Sequence, residues 1–189
     1  MDTPYPPIDR WLIPAQALQS TLTGVRSAGQ RGNESGAFWL GTRSATANVL
    51  HVVLPGGPGV EERPWQWRVG SGIFDAISRW ASVRGVVLLA IAHTHIGASV
   101  SLSEADRYQS VQVPGVLAVV IGRGGKERNP TRWGWYLYED GDYRPLLPDE
   151  WRCRLKVSKG LPVDVWRAEQ DGVRPQGRSE QRQCTRDFN

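Results

Sequence analysis

Histidine and cysteine are both scarce in this chain, with three and two copies among 189 residues. The cysteines, Cys153 and Cys184, sit in polar, basic surroundings without metal-type spacing, which removes a cysteine-based metal site from consideration. As unpaired thiols they fit a reducing cytoplasm, with a single disulfide between them as the alternative. No segment approaches the roughly 20 uninterrupted apolar residues of a membrane span. Met1-Asp2-Thr3-Pro4-Tyr5 does not read as a signal peptide, so neither a membrane partner nor export is expected. There is no internal repeat.

What is present suits one globular domain with extensions. Hydrophobic residues make up 40% and include nine tryptophans, ample material for a core. Residues 1–11, with Pro4, Pro6 and Pro7, read as an extended lead-in. Residues 12–150 read as the domain, and residues 151–189 as a basic, polar extension, poorly ordered from about residue 174. Residues 150–189 hold nine Lys/Arg against six Asp/Glu, so +3 of the net +4 lies there. Its arginines are diluted with acids and not interleaved with stacking aromatics, so nucleic acid is not an expected partner.

Periodicity and breakers order the domain. A first helix is expected from Pro14 to Ala28, with proline at the position where its missing N–H is harmless. Strands follow near 35–42 and 48–54. Pro55-Gly56-Gly57-Pro58-Gly59 then opens a loop reaching about Pro64. Ile73, Ile77 and Trp80 share a helical face and predict a second helix over Val69–Val83. Gly85–Ala92 is a short apolar, β-branched run, the pattern of a buried central strand. Val116–Ile121 reads as another buried strand, and Trp133–Tyr138 as a half-exposed one closed by the turn Asp140-Gly141-Asp142. Gly122-Arg123-Gly124-Gly125-Lys126 lacks the Lys-Ser/Thr ending of a phosphate loop and reads as a hairpin-type connection.

Two of the three histidines stand at the end of the central strand. His93 and His95 are two apart, so strand alternation projects both from one side. Ser103 and Asp106 follow three apart at the start of a short helix, where they share a face. The pattern is H-x-H-x7-S-x2-D. Two imidazoles and one carboxylate leave Zn²⁺ a vacant tetrahedral position, which suits catalysis better than structure. The same residues also satisfy simpler roles: Ser101–Glu104 and Ser103–Asp106 each fit a helix capping box. Glu34 could serve as a base beside such a metal, but from composition and spacing alone a solvated strand-end glutamate is the favoured reading. The third histidine, His51, lacks a ligand-type neighbour in sequence and reads as an ordinary strand residue.

A glutamate early in the domain followed by H-x-H-x7-S-x2-D resembles the JAB/MPN (JAMM-motif) metalloprotease family, and Glu34, His93, His95, Ser103 and Asp106 match every position in order. The resemblance spans roughly residues 12–145. It implies an α/β (α+β), cytidine-deaminase-like fold, a central mixed β-sheet flanked by helices. It also implies one zinc ion on His93, His95 and Asp106, with Glu34 as general acid/base and Ser103 stabilising the tetrahedral intermediate. Thr94 and Ile96 stand where relatives commonly have serine and proline, which suggests a bacterial-type branch. The implied activity is cleavage after the C-terminal glycine of a ubiquitin-like protein, by deconjugation or precursor processing. The implied context is cytoplasmic, beside E1- and E2-like enzymes, in some relatives antiviral. Alternatives are C-terminal processing of a sulfur-carrier protein and a non-catalytic MPN scaffold. In the family an insertion at the position of residues 55–68 can lie beside the substrate tail, which Trp65 and Trp67 could flank; packing of one and partial exposure of the other is the plainer reading.

Overall fold

The computed structural model describes residues 6–176. In chain order the elements are β1 (Arg10–Pro14), α1 (Ala15–Gln30), β2 (Gly36–Thr42), β3 (Thr46–Pro55), β4 (Val60–Arg63), β5 (Gln66–Val69), α2 (Ser71–Arg84), β6 (Val87–Thr94) and α3 (Glu104–Gln109). They continue with β7 (Leu117–Ile121), β8 (Gly134–Glu139), β9 (Asp142–Pro145), α4 (Pro148–Arg154), β10 (Leu155–Ser158), β11 (Asp164–Glu169) and β12 (Gly172–Pro175). A ten-stranded mixed sheet runs β10-β1-β3-β2-β6-β7-β8-β9, with β11 paired to both β3 and β12. β4 and β5 form a separate hairpin. This is the mixed, helix-flanked sheet that the sequence implies.

Alternation along β2 explains the layers. Its residues are buried on both faces: Trp39 joins the cluster under α1 with Leu18, Val52 and Trp135, while Phe38 and Leu40 join Ile73, Ile77 and Trp80 of α2 on the opposite face. Each helix contributes one apolar stripe, as the helical spacing predicts. On the α2 face, farther across the sheet, a third cluster gathers Leu102, Val120, Tyr136 and Tyr143. The ends of β2 and β6 lie between this cluster and α2.

Several expectations meet a different structure. The segment after Pro55 is not simply a loop: residues 60–69 pair as the β4–β5 hairpin. Trp133–Tyr138 was expected half-exposed, yet β8 is buried along nearly its whole length, because β9 pairs it on one side and Trp135 packs against Trp133 and Trp151. Residue 150 marks no break in the sheet. β10 pairs in parallel with β1, and β11 with β3, so residues through Pro175 join the same sheet. Within the expected lead-in, Ile8 is buried, and Arg154 donates to its carbonyl at 2.6 Å. Most of the stretch expected to be poorly ordered lies outside the described residues, as does Cys184. Among the described residues, no helix is long and apolar enough to cross a membrane.

The glycine-rich connection after β7 anchors the end of β6. Gly124 N donates to His95 O at 2.8 Å, and Arg123 N to Gly97 O at 2.6 Å. Gly124 adopts φ 61°, and a Cβ on Gly29 of α1 would lie 2.0 Å from its carbonyl oxygen. Glycine at both positions lets α1 seat this connection directly. Gly29→Ala is expected to cost about 1–3 kcal/mol by overpacking, a fall in Tm of roughly 3–10 °C for a domain of this size, measurable by thermal denaturation.

Candidate metal centre

Strand pairing brings the first two groups together. β6 runs parallel to β7, with His93 opposite Val120, and His95 N extends that ladder by donating to Ile121 O at 3.0 Å. The imidazoles therefore project from one face while Thr94, between them, projects from the other and is fully buried. Nε2 of His93 lies 3.2 Å from Nε2 of His95.

The third group comes from the N-terminus of α3. Ser103 is its N-cap and forms a reciprocal capping box with Asp106. Asp106 Oδ2 accepts from Ser103 N at 2.8 Å and from Ser103 Oγ at 2.7 Å, while Ser103 Oγ accepts from Asp106 N at 3.1 Å. The cap and the site readings of these residues thus hold together: the cap aims the carboxylate. Asp106 Oδ1 lies 3.4 Å from His93 Nε2, and Oδ2 3.3 Å from His95 Nε2.

These separations fit a tetrahedral ion. Ligand bonds of about 2.0–2.1 Å give tetrahedral edges of roughly 3.3–3.4 Å; the two imidazole nitrogens are 3.2 Å apart, and each faces a different oxygen of Asp106, Oδ1 at 3.4 Å from His93 and Oδ2 at 3.3 Å from His95. Among the described residues, His93, His95 and Asp106 form the group whose ligand atoms all lie within 4.8 Å of one another. Burial pushes the Asp106 carboxyl up, but hydrogen bonds with His93, His95 and Ser103 outweigh it and hold Asp106 far below the usual carboxylate range. His95 is raised by its hydrogen bond to Asp106, against the opposing effect of burial.

Glu34 arrives through the opposite ladder. β2 runs antiparallel to β6 with Gly36 opposite His93. Thr94 N donates to Ser35 O at 2.9 Å, and Ser35 N donates to Thr94 Oγ1 at 3.0 Å. Extending this register sets Glu34 opposite His95, on the face both histidines share. Its carboxyl is buried, which pushes its pKa up to about 7; His95 opposes the shift and Asp106 adds to it. A cation on the triad would draw Glu34 back toward its charged form. The carboxyl is thus poised to exchange protons near neutral pH.

A cavity of about 260 Å³ adjoins the triad, its wall running from His93 and Asp106 to Trp67, Arg68 and Phe74. The plainer sequence reading of Trp65 and Trp67, one packed and the other exposed, agrees with the structure, but the hairpin that carries them was not anticipated. Trp65 occupies the hairpin turn and is 76% exposed. Trp67 is half-buried, 5.5 Å from the Phe38 ring, and a Cβ on Gly36 would lie 2.5 Å from its indole. His51 lies apart, accepting from Trp166 Nε1 at 3.3 Å and packed edge-on against Trp80. Asp164 of β11, distant in sequence, lies 3.5 Å from its ring.

No known protein family's profile matches the chain. A curated relative, the probable metalloprotease y4jG of Sinorhizobium fredii, is 24% identical over 124 residues, which cover 61% of this chain and 72% of that protein. Among solved structures, protein DSY2949 from Desulfitobacterium hafniense superposes with a TM-score of 0.57 at 15% identity, over 80% of this chain and 94% of that one. The likeness shows a shared fold. A JAB1/MPN domain protein from Archaeoglobus fulgidus overlaps 78% of this chain and 96% of its own at 14% identity, with a TM-score of 0.43, too low to carry an argument. The curated relative is itself described as a probable metalloprotease, and the metal-ligating residues of the motif lie together in the fold; the resemblance to the JAB/MPN metalloproteases rests on that motif.

Proposed function

We propose that this chain is a zinc-dependent peptidase or isopeptidase that cleaves after the C-terminal glycine of a ubiquitin-like protein. The observation that carries the proposal is the gathering of His93, His95 and Asp106, whose ligand atoms all lie within 4.8 Å of one another, with the buried Glu34 carboxyl on the same strand-end face. Zinc held there would supply Lewis acidity and lower the pKa of water toward about 7. His93 and His95 offer neutral nitrogen donors at fixed positions, and Asp106, aimed by its own helix cap, offers the anionic one.

Glu34 takes the proton of the attacking water and returns it to the departing amine. Its burial keeps both protonation states within reach near neutral pH. The resemblance gives Ser103 to the developing oxyanion. Its single hydroxyl proton is donated to Asp106 Oδ2, so it serves that role only by giving up this bond. Support of Asp106 is the role its position favours directly.

The hairpin supports an extended substrate. β5 pairs with β4 on one edge, and its Trp67, Arg68 and Val69 line the cavity beside the triad. A substrate tail added along the other edge of β5 would gain main-chain hydrogen bonds and lead its C-terminus toward His93. A ubiquitin-like protein with a free extended tail fits this path, and E1- and E2-like enzymes of a bacterial conjugation system, in an antiviral setting, are the accompanying partners that the resemblance suggests.

The test is hydrolysis of a ubiquitin-like protein fused through its C-terminal glycine to a reporter amine, with a sulfur-carrier precursor in parallel. Preferential cleavage of the first supports the proposal; cleavage of the sulfur-carrier precursor alone, or of neither by zinc-loaded protein, overturns it. Glu34→Gln is expected to lower kcat by about 10²–10⁴-fold while zinc content stays near wild type, whereas His95→Ala should lose both. As pH falls, Glu34 becomes protonated and loses its base function. The value of kcat/KM should therefore decline on the acid side with an inflection at or below about 7, since the cation draws the pKa down. Zinc content measured at each pH separates this limb from loss of the metal by protonation of the histidines.

A further inference from the structure

Glu62 of β4 ties the hairpin to the segment that carries Glu34. Its Oε1 accepts from Ser35 Oγ at 2.7 Å, and its Oε2 accepts from Arg31 Nη2 at 2.6 Å. Arg31 is itself fixed to the end of α1, where Nη1 donates to Ser27 Oγ at 2.6 Å. Next along β4, Arg63 O accepts from Glu34 N at 2.8 Å. Residues 31–35 belong to no helix or strand; residues 31–33 are tied back to the end of α1 by their own N–H groups, and the bonds to β4 and β6 set the path onward from there into β2.

Ser35 stands at the junction. Its backbone is held by Thr94, the residue between the two histidines, and its hydroxyl is held by Glu62. Glu34 is thus bracketed, its own N–H on the hairpin and the next residue shared between the hairpin and β6. The Arg31–Glu62 ion pair is half-exposed on the arginine side and contributes little by itself. The bond to Ser35 is the consequential one, because Ser35 is buried and its hydroxyl loses that partner if the carboxylate is removed.

We propose that Glu62 is a positioning residue for Glu34, joining the β4–β5 hairpin and the general base into one unit so that a strand seated on β5 and the base that serves it stay in register. This inference rests on the functional reading above for its catalytic meaning, but the mechanical link is testable without turnover. Glu62→Ala removes both bonds; Glu62→Gln keeps an oxygen for Ser35 and gives up the charge opposite Arg31.

Hydrogen–deuterium exchange and kinetics on the zinc-loaded full chain decide the matter. Glu62→Ala should speed exchange at residues 32–36 and in the hairpin while leaving β7 and β8 at wild-type rates. Its zinc affinity should match wild type, and kcat on the reporter fusion should drop about tenfold, the scale expected when a catalytic group is displaced by a fraction of an ångström. Glu62→Gln should restore most of the protection and most of kcat. Wild-type exchange at residues 32–36 in Glu62→Ala would overturn the inference, and so would faster exchange spread equally through β7 and β8. Failure of the wild type to cleave or to bind zinc would instead overturn the functional reading, while the exchange comparison still decides the link.

Discussion

The register between β2 and β6 is the constraint on which the site depends. With Gly36 opposite His93 and Ser35 bonded to Thr94, one antiparallel ladder fixes which face Glu34 takes and how far along the histidines it stands. A slip of one residue would turn Glu34 to the α1 face, away from the triad. The bulge between Trp39 and Leu40 confines the irregularity of this pairing to the far end, away from the histidines. Parallel pairing of β6 with β7 then locks His95 from the other side, through Ile121 and Gly124.

Electrostatics and packing converge on the same point. Asp106 and Glu34 are two acidic groups brought close by the fold, and each responds differently. Asp106 gains hydrogen bonds with both imidazoles and with Ser103 and stays ionised. Glu34 is dominated by burial and is pushed up to about 7. One carboxyl is thereby suited to hold a cation and the other to exchange a proton, a division of labour set by environment and not by residue type. The small helix α3 contributes through its cap: at six residues it has little stability of its own, and the Ser103–Asp106 box fixes the carboxylate that faces the two histidines.

Much of this was legible in the sequence, and the boundary of legibility is physical. The apolar run ending in His93 and His95 announced a buried strand, and period-two alternation was enough to put both imidazoles on one side. Ser103-x-x-Asp106 announced a cap, and its geometry is local. Glu34 was recognisable only as a motif position, because its approach to His95 is made by a pairing across nearly sixty residues that no local pattern encodes. The β4–β5 hairpin escaped because its strands are only four residues each, follow a proline–glycine cluster and expose alternate charged residues. The strands β10 and β12 escaped for a related reason: each is four residues long and partly exposed, and β10 finds its partner β1 at the other end of the chain.

The central claim is that His93, His95 and Asp106 bind one zinc ion with an open position. Zinc K-edge X-ray absorption on protein loaded with one equivalent tests it most directly. The account predicts four-coordinate zinc with two imidazole shells at about 2.0–2.1 Å, the remaining neighbours being oxygen and none sulfur. A sulfur neighbour at about 2.3 Å, a single imidazole, or failure to retain one zinc per chain would contradict it.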